Sequence, residues 1–548
     1  MMLRTPARRW VARVSTSAMV VLVMGAGTQA MATAASASRT PAAPVAAGPA
    51  TDPYSPAFHH PYRHGVVPTR ARAAKMRSWA RQHPAATQAA TAVHATSAQN
   101  LRYGGGIDSI GVTTGHENVY LVFWGSQWGT QGAGSNGNFT YSGDPSGEAP
   151  YLQQMFKGLG TNGEKWSGVM TQYCQGVSVG AQSCPSSARH VAYPKGGVLA
   201  GVWLDDSSAA PAAASAFQLG TEAADAAAHF GNTTAAANRD AQYVILSPTG
   251  TDPDHYLEQG FCAWHDYNGD PYVGVSSPYD IAFTNFPYVT DAGASCGLGF
   301  VNNPGTLDGA SIVEGHEYAE TITDQNPAGG WLDTGYFENA DKCAWINPGT
   351  AGGAANLTLN TGAFAMQGTW ANDGTGGKGA CEFTHSIVST QLLKNPGFES
   401  GKLTPWTATS GVLKKKSSSY PAHSGSWLVR LDGRGTTHTD TLAQKVAVAP
   451  ANGTYTSASF SFWLETKTND PSSKAYDKLR IQVLDAGGNV LRTLATYSNK
   501  NATSHYVHHS FSLNAYAGQT VTIKFTGKET LLHHNTSFFV DDTALNAS

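Results

Sequence analysis

The chain has 548 residues, a formal net charge of −3 and charged side chains at only 13% of positions. That length allows two or more domains. The weak, nearly balanced charge argues against a nucleic-acid binder, which needs a basic face.

Arg4, Arg8, Arg9 and Arg13 precede a short apolar core, AMVVLVMGAG, followed by small residues with A-x-A sites ending at Ala32 and Ala37. This is the three-part pattern of a secretory signal peptide, assigned to residues 1–37. The core is shorter than the roughly 20 residues that span a bilayer. No later stretch is long and apolar enough either, so a secreted, extracellular protein with no membrane span is expected.

Residues 38–100 read as a disordered linker or a propeptide. Ala and Pro dominate its start, and one basic stretch, Arg70 to Arg81, has helical character. From 101 to 388 the apolar runs 119–123, 198–204 and 241–246 read as strands. Helical patterns at 151–159 and 209–230 alternate with them. That order predicts an α+β domain, zincin-like or α/β. All six cysteines, Cys174, Cys184, Cys262, Cys296, Cys343 and Cys381, fall inside it. An even count in an exported chain implies disulfides. Six cysteines allow fifteen pairings, of which the sequential set is expected. From 391 to 548 short alternating strands (459–463, 479–484, 507–513, 521–525) come without a helix signal. They predict an all-β jelly-roll sandwich with a carbohydrate-binding-like role.

Chemistry concentrates in Gly315-His316-Glu317-Tyr318-Ala319-Glu320, within a segment, 308–323, expected to be helical. Ser311 and Glu314 resemble a capping box, and Ile312, Val313, Ala319 and Ile322 form an apolar stripe. On a helix His316 and Glu320 project from one face, with Glu317 about 100° around from His316. This is the geometry of H-E-x-x-H zinc hydrolases with Glu as the last ligand. In those enzymes the inner Glu takes a proton from the attacking water. Pro327-Ala-Gly-Gly330 makes a turn that returns the chain, and Glu338 follows Glu320 by 18 positions. Thermolysin-like and aminopeptidase-like enzymes place a third ligand, a Glu, at close to that spacing. The expected ligands are His316, Glu320 and Glu338, with Asp341 behind them orienting His316. Glu317 is the expected general base. Two carboxylates on a dication make it a weaker Lewis acid than two imidazoles and one carboxylate would. They also loosen the preference for zinc. His265, in Cys262-Ala-Trp-His265, is a second catalytic candidate, as an oxyanion stabiliser or a ligand in place of Glu338. A plain polar histidine on a strand end is the competing reading. Tyr318 and Trp331 are read as core.

These residues resemble the EXORDIUM / phosphate-induced family of secreted proteins across roughly 103–383. The resemblance is carried by Val119-Tyr-Leu-Val-Phe-Trp-Gly125, by Cys262-Ala-Trp-His265, and by 308–320 with Thr323-Asp324, Trp331 and 338–343. Cys381 after a Gly-rich run completes it. Plant members of that family are extracellular, linked to growth responses, and often have a degraded H-E-x-x-E. The intact motif here looks more like a bacterial metallopeptidase-like relative. The C-terminal segment is similar to galactose-binding-type jelly rolls, through Asn395-Pro-Gly-Phe-Glu399 and Phe539-Val-Asp541-Asp542. That resemblance implies a structural calcium, with Glu399 and Asp541 as candidates. Trp406, Trp427 and Trp463 are candidates to stack on sugar, although at least two should be core. The expectation is a secreted zinc peptidase acting on a protein or peptide, tethered to a polysaccharide or cell-surface glycan. The competing expectation is a non-catalytic glycan-binding or signalling protein.

Overall fold

A six-stranded mixed sheet organises the first domain. Its strands are β1 (His64–Pro68), β2 (Asn118–Trp124), β3 (Leu199–Asp205), β4 (Ala241–Leu246), β5 (Phe261–Tyr267) and β6 (Ala282–Phe286). They lie in the order β1-β5-β6-β4-β2-β3. β2, β3, β4 and β6 run parallel, while β5 and β1 join antiparallel at one edge. The computed structural model describes residues 52–83, 100–185, 188–448, 458–470, 473–530 and 535–547. The signal-peptide assignment, 1–37, lies outside these, as do 38–51 and 84–99 of the expected linker or propeptide.

Within 38–100 the described residues are folded: the helical reading of Arg70 to Arg81 matches a helix, and the stretch before it, read as poor in strand signals, holds a strand. β1 is the edge strand of the sheet, and Arg70–Gln82 forms α1, capped by the Thr69 side chain. Val67 and Met76 are buried in the domain. Three apolar residues in a row are a weak local signal, and it is pairing with β5 that makes β1 a strand.

Helices fill the connections. α2 (Glu148–Gly158) begins earlier than its apolar spacing suggested, because the Asp144 carboxylate accepts the backbone N–H groups of Gly147, Glu148 and Ala149. α3 (Ala216–His229) begins later than expected, at a capping box made by Ser215 and Gln218. α4 (Asp308–Thr323) spans the predicted range, and all 16 of its residues are buried. The apolar stripe is therefore one side of a helix enclosed all round. Ser311 is interior and caps nothing: its hydroxyl donates to Ala365 O at 2.6 Å. Ala365 belongs to a hairpin of β7 (Ala355–Leu359) and β8 (Gly362–Met366), which packs on α4.

The cysteines are joined as Cys174–Cys184, Cys262–Cys296 and Cys343–Cys381. The second bond ties β5 to the segment leading into α4. The third ties the loop after Glu338 to the end of the domain.

The C-terminal domain is two facing antiparallel sheets. One contains β9 (Leu413–Lys415), β10 (Trp427–Asp432), β12 (Ala458–Thr468), β15 (Val507–Ser512) and β17 (Thr536–Ala547), in the order β9-β10-β17-β12-β15. The other contains β11 (His438–Ala447), β13 (Lys478–Leu484), β14 (Val490–Ser498) and β16 (Thr520–Glu529), in the order β11-β16-β13-β14, with Thr407–Ala408 beside β11. Alternation fills the core: Phe460, Phe462, Leu464, Ile481, Phe525, Phe538 and Val540 all point between the sheets. Among the described residues no helix is long and apolar enough to cross a membrane.

The Cys262–Cys296 bond closes a loop with a sequence separation of 34. Replacing both cysteines by Ser should lower unfolding free energy by about 2–4 kcal/mol, read by urea denaturation. An unchanged midpoint would mean that β5 and the approach to α4 are held by packing alone.

Candidate metal centre

The helix, the strand beside it and one returning loop bring six ionisable side chains together. α4 contributes His316, Glu317 and Glu320, and His316 Nε2 lies 3.1 Å from Glu320 Oε2. At the end of α4 the Asp324 carboxylate accepts from the backbone N–H groups of Ala328, Gly329 and Gly330. This fixes the turn that sends the chain back. The returning loop then places Glu338 and Asp341 over the helix, and Asp341 N donates to Glu320 Oε1 at 2.7 Å. β5 supplies His265. All six residues are buried, His316, Glu317 and Glu320 completely so.

Donor atoms converge in two overlapping groups. His316, Glu320 and Asp341 each place one within 4.8 Å of the others, and so do His265, Glu320 and Glu338. Glu320 belongs to both. The expected trio of His316, Glu320 and Glu338 is thus divided. Glu338 faces His265, with Oε1 3.5 Å from Nε2. Asp341 is not behind His316: its Oδ1 lies 3.6 Å from Nε2, on the side that faces the other ligands. The orienting residue is Gln367, whose Oε1 is 3.2 Å from His316 Nδ1. Its amide donates to Ala340 O and Gly368 O, which leaves Oε1 as the acceptor and puts the proton on Nδ1. His265 is no isolated strand-end histidine, since its Nδ1 lies 3.0 Å from Glu317 Oε2.

β1 closes the site. His64 pairs with His265 in register, and Gly65 O lies 3.2 Å from His316 Nε2. Gly65 has φ +50°, and a Cβ there would stand 2.0 Å from Glu320 Oε2 and 2.4 Å from His265 Cε1. Only glycine lets backbone approach the cluster this closely.

The electrostatics of the cluster follow from its burial. Burial, followed by the repulsion of neighbouring carboxylates, pushes Glu338 well above the usual carboxylate range. Burial does the same to Glu317, against the pull of His316, and Glu320 rises to about 7 through burial and Asp341. Burial lowers His265. Burial would also lower His316, but Glu320, Asp341 and Glu317 outweigh it and hold the imidazole well up. Glu320 Oε2, both Glu338 oxygens, Glu317 Oε1 and His265 Nε2 are buried without an aligned hydrogen bond. Each such atom costs about 1–3 kcal/mol. A divalent cation between them would satisfy several at once, so the residues fit one. Two imidazoles with carboxylates are a zinc-compatible donor set, although its oxygen-rich half also admits other divalent ions.

The calcium candidates are differently engaged. Glu399 accepts the backbone N–H groups of Ser426 and Trp427, and Asp541 accepts those of His423 and Ser424. Trp406 is core, with Nε1 donating to Asn395 O. Trp427 is half-buried against the sandwich core. Trp463 stands on the outer face, stacked on His423 with ring centroids 3.9 Å apart.

No protein-family model matches the chain, and no curated protein matches it. Solved structures similar to part of it include TmCBM61 in complex with β-1,4-galactotriose, at 22% identity over 29% of this chain and 100% of that chain, TM-score 0.23. The CBM22-1 xylan-binding domain of Paenibacillus barcinonensis Xyn10C matches at 14% identity over 29% and 95%, TM-score 0.20. A family 16 carbohydrate-binding module matches at 18% over 28% and 98%, TM-score 0.20. The two-sheet assignment rests on the strand pairing above and not on these likenesses.

Gly65→Ala should destabilise the domain by more than about 1 kcal/mol, through the left-handed backbone and the contact with Glu320 and His265. A melting temperature equal to that of the parent would show that β1 does not lie against the cluster.

Proposed function

We propose that the protein is a secreted, metal-dependent hydrolase of the H-E-x-x-E type, acting on peptide-like bonds and held to glycan by its C-terminal sandwich. One observation carries the reading: buried, unpartnered donor atoms of His265, Glu320 and Glu338 converge beside His316 and Asp341, with the inner Glu317 in contact.

His316, Glu320 and Asp341 would hold the ion, with His265 and Glu338 closing its other side. A bound divalent cation would polarise a scissile carbonyl and acidify water. Glu317 Oε2 is anchored to His265 Nδ1, which leaves Oε1 to take a proton from the attacking water and return it to the leaving amine. Gln367 keeps His316 in the tautomer that presents Nε2. With the Gly65 carbonyl 3.2 Å from His316 Nε2, β1 would have to move for substrate to reach the ion.

A polar groove of about 450 Å³ on the sandwich, lined by Tyr420, Arg430, Lys467, Asn469, Asn535 and Phe539, supports the glycan half of the reading. Arg430 and Lys467 stand over the Tyr420 and Phe539 rings. Aromatic faces beside amide and cationic donors suit sugar hydroxyls and acidic sugars. A non-catalytic glycan-binding protein is the second reading, favoured by the complete burial of the cluster.

Mass spectrometry of purified secreted protein should find zinc or a similar divalent ion, with one equivalent lost in His316→Ala and in Glu320→Gln. Glu317→Gln should keep the metal and lose turnover. A metal-free parent would remove the hydrolase reading, and activity surviving in Glu317→Gln would remove its mechanism. A chain trimmed to begin at Asn100 should hydrolyse peptides faster than the full chain; equal rates would mean that β1 is no barrier. Tyr420→Ala should reduce retention of the full chain on insoluble polysaccharide, and retention equal to the parent would move sugar binding away from the groove.

A further inference from the structure

A second charged cluster lies in the sandwich, on the ends of β10, β11 and β16. Asp432, Asp440 and Glu529 are buried, as is Asp477 just before β13, with His438 at the rim. His438 Nε2 lies 3.2 Å from Asp440 Oδ2 and 3.6 Å from Asp432 Oδ1, and Nδ1 lies 3.3 Å from Glu529 Oε2. Asp432, His438 and Asp440 each place a donor atom within 4.8 Å of the others.

Most of the cluster has local partners. Glu529 accepts the backbone N–H groups of Arg434 and Gly435. Asp440 accepts Asp432 N and the Arg434 guanidinium. Asp477 Oδ1 accepts Thr530 N. Asp432 is the exception. It is 2% exposed, it is aimed at His438 and Asp440, and neither of its oxygens has a hydrogen bond. Asp477 Oδ2 is likewise buried and unpartnered. The Asp432 carboxylate also fills the space where a Cβ on Gly527 would lie, 2.6 Å from Oδ2.

The hydrogen bonding of His438 narrows what belongs there. Nδ1 is 2.8 Å from Thr436 O, a pure acceptor, so Nδ1 carries a proton. Nε2 faces two carboxylates, Asp440 Oδ2 at 3.2 Å and Asp432 Oδ1 at 3.6 Å, so several acids converge on one imidazole edge and positive charge is needed among them. Arg434 supplies some, but it meets only Asp440 among the carboxylates and is 44% exposed at the side chain.

We propose that Asp432, Asp440 and His438, backed by Glu529 and Asp477, form a divalent-cation site that locks β10 of one sheet to β11 and β16 of the other. The carboxylate-rich donor set favours a hard ion of the calcium type. This site is separate from Glu399 and Asp541, and it does not depend on the α4 cluster or on catalysis.

The test is calorimetric titration of CaCl2 into the chelator-treated full chain, with scanning calorimetry of the sandwich transition. One calcium should bind with a dissociation constant on the order of 10⁻⁴ M or tighter, in the range of extracellular modules, and raise that transition. Asp432→Asn and His438→Ala should each weaken binding at least tenfold, while Glu320→Gln should leave it unchanged. His438 lies at the rim and its loss should not prevent folding, so it covers the case in which Asp432→Asn fails to fold. Zinc and magnesium titrations define the ion class. No calcium, zinc or magnesium binding that responds to Asp432→Asn or His438→Ala overturns the site, as does binding lost in Glu320→Gln.

Discussion

Four carboxylates and two imidazoles share one dry space beneath a single strand, and the first domain is arranged around that arrangement. Removing this many ionisable groups from water is unfavourable unless opposite charge meets them. His316 alone cannot neutralise Glu317, Glu320, Glu338 and Asp341, and burial holds His265 neutral. The surrounding structure holds these groups in place whatever neutralises them. Gln367 fixes the His316 ring, Asp341 N steadies Glu320, and the Cys262–Cys296 bond anchors the strand that carries His265.

Closure follows from the same geometry. A glycine with left-handed backbone is what lets β1 pass within hydrogen-bonding distance of His316. The strand that completes the sheet is also the strand that covers the cluster, so edge pairing and burial of the cluster are coupled. β1 is short, but Val67 is buried in the core and Trp345 Nε1 donates to Pro68 O, so this edge strand is packed into the domain and not merely laid against it.

The sandwich repeats the theme in a different setting. Its core is built by alternation, yet the rim between its sheets gathers Asp432, Asp440, Glu529 and Asp477 instead of apolar side chains. The polar groove around Tyr420 and Phe539 is lined by other residues.

Local periodicity determined a good deal of this from the sequence alone. His316 and Glu320 share a face because 3.6 residues make a turn, and α4 runs from Asp308 to Thr323 as its pattern indicated. Alternating apolar residues marked the sandwich strands for the same kind of reason. Glu338 and Asp341 were reachable by spacing, and each lies beside an expected neighbour, but spacing did not divide them, Asp341 toward His316 and Glu338 toward His265, because the direction in which the loop returns is set by the Asp324 turn. Ser311 looked like a cap only because its partner, Ala365, is far away in sequence. Gly65 and Gln367 left no local signal, since their contacts with His316 span 251 and 51 residues. The tertiary structure decided those contacts, and with them the burial of the site and the place of β1, because they arise from packing between distant segments that no short window of sequence contains.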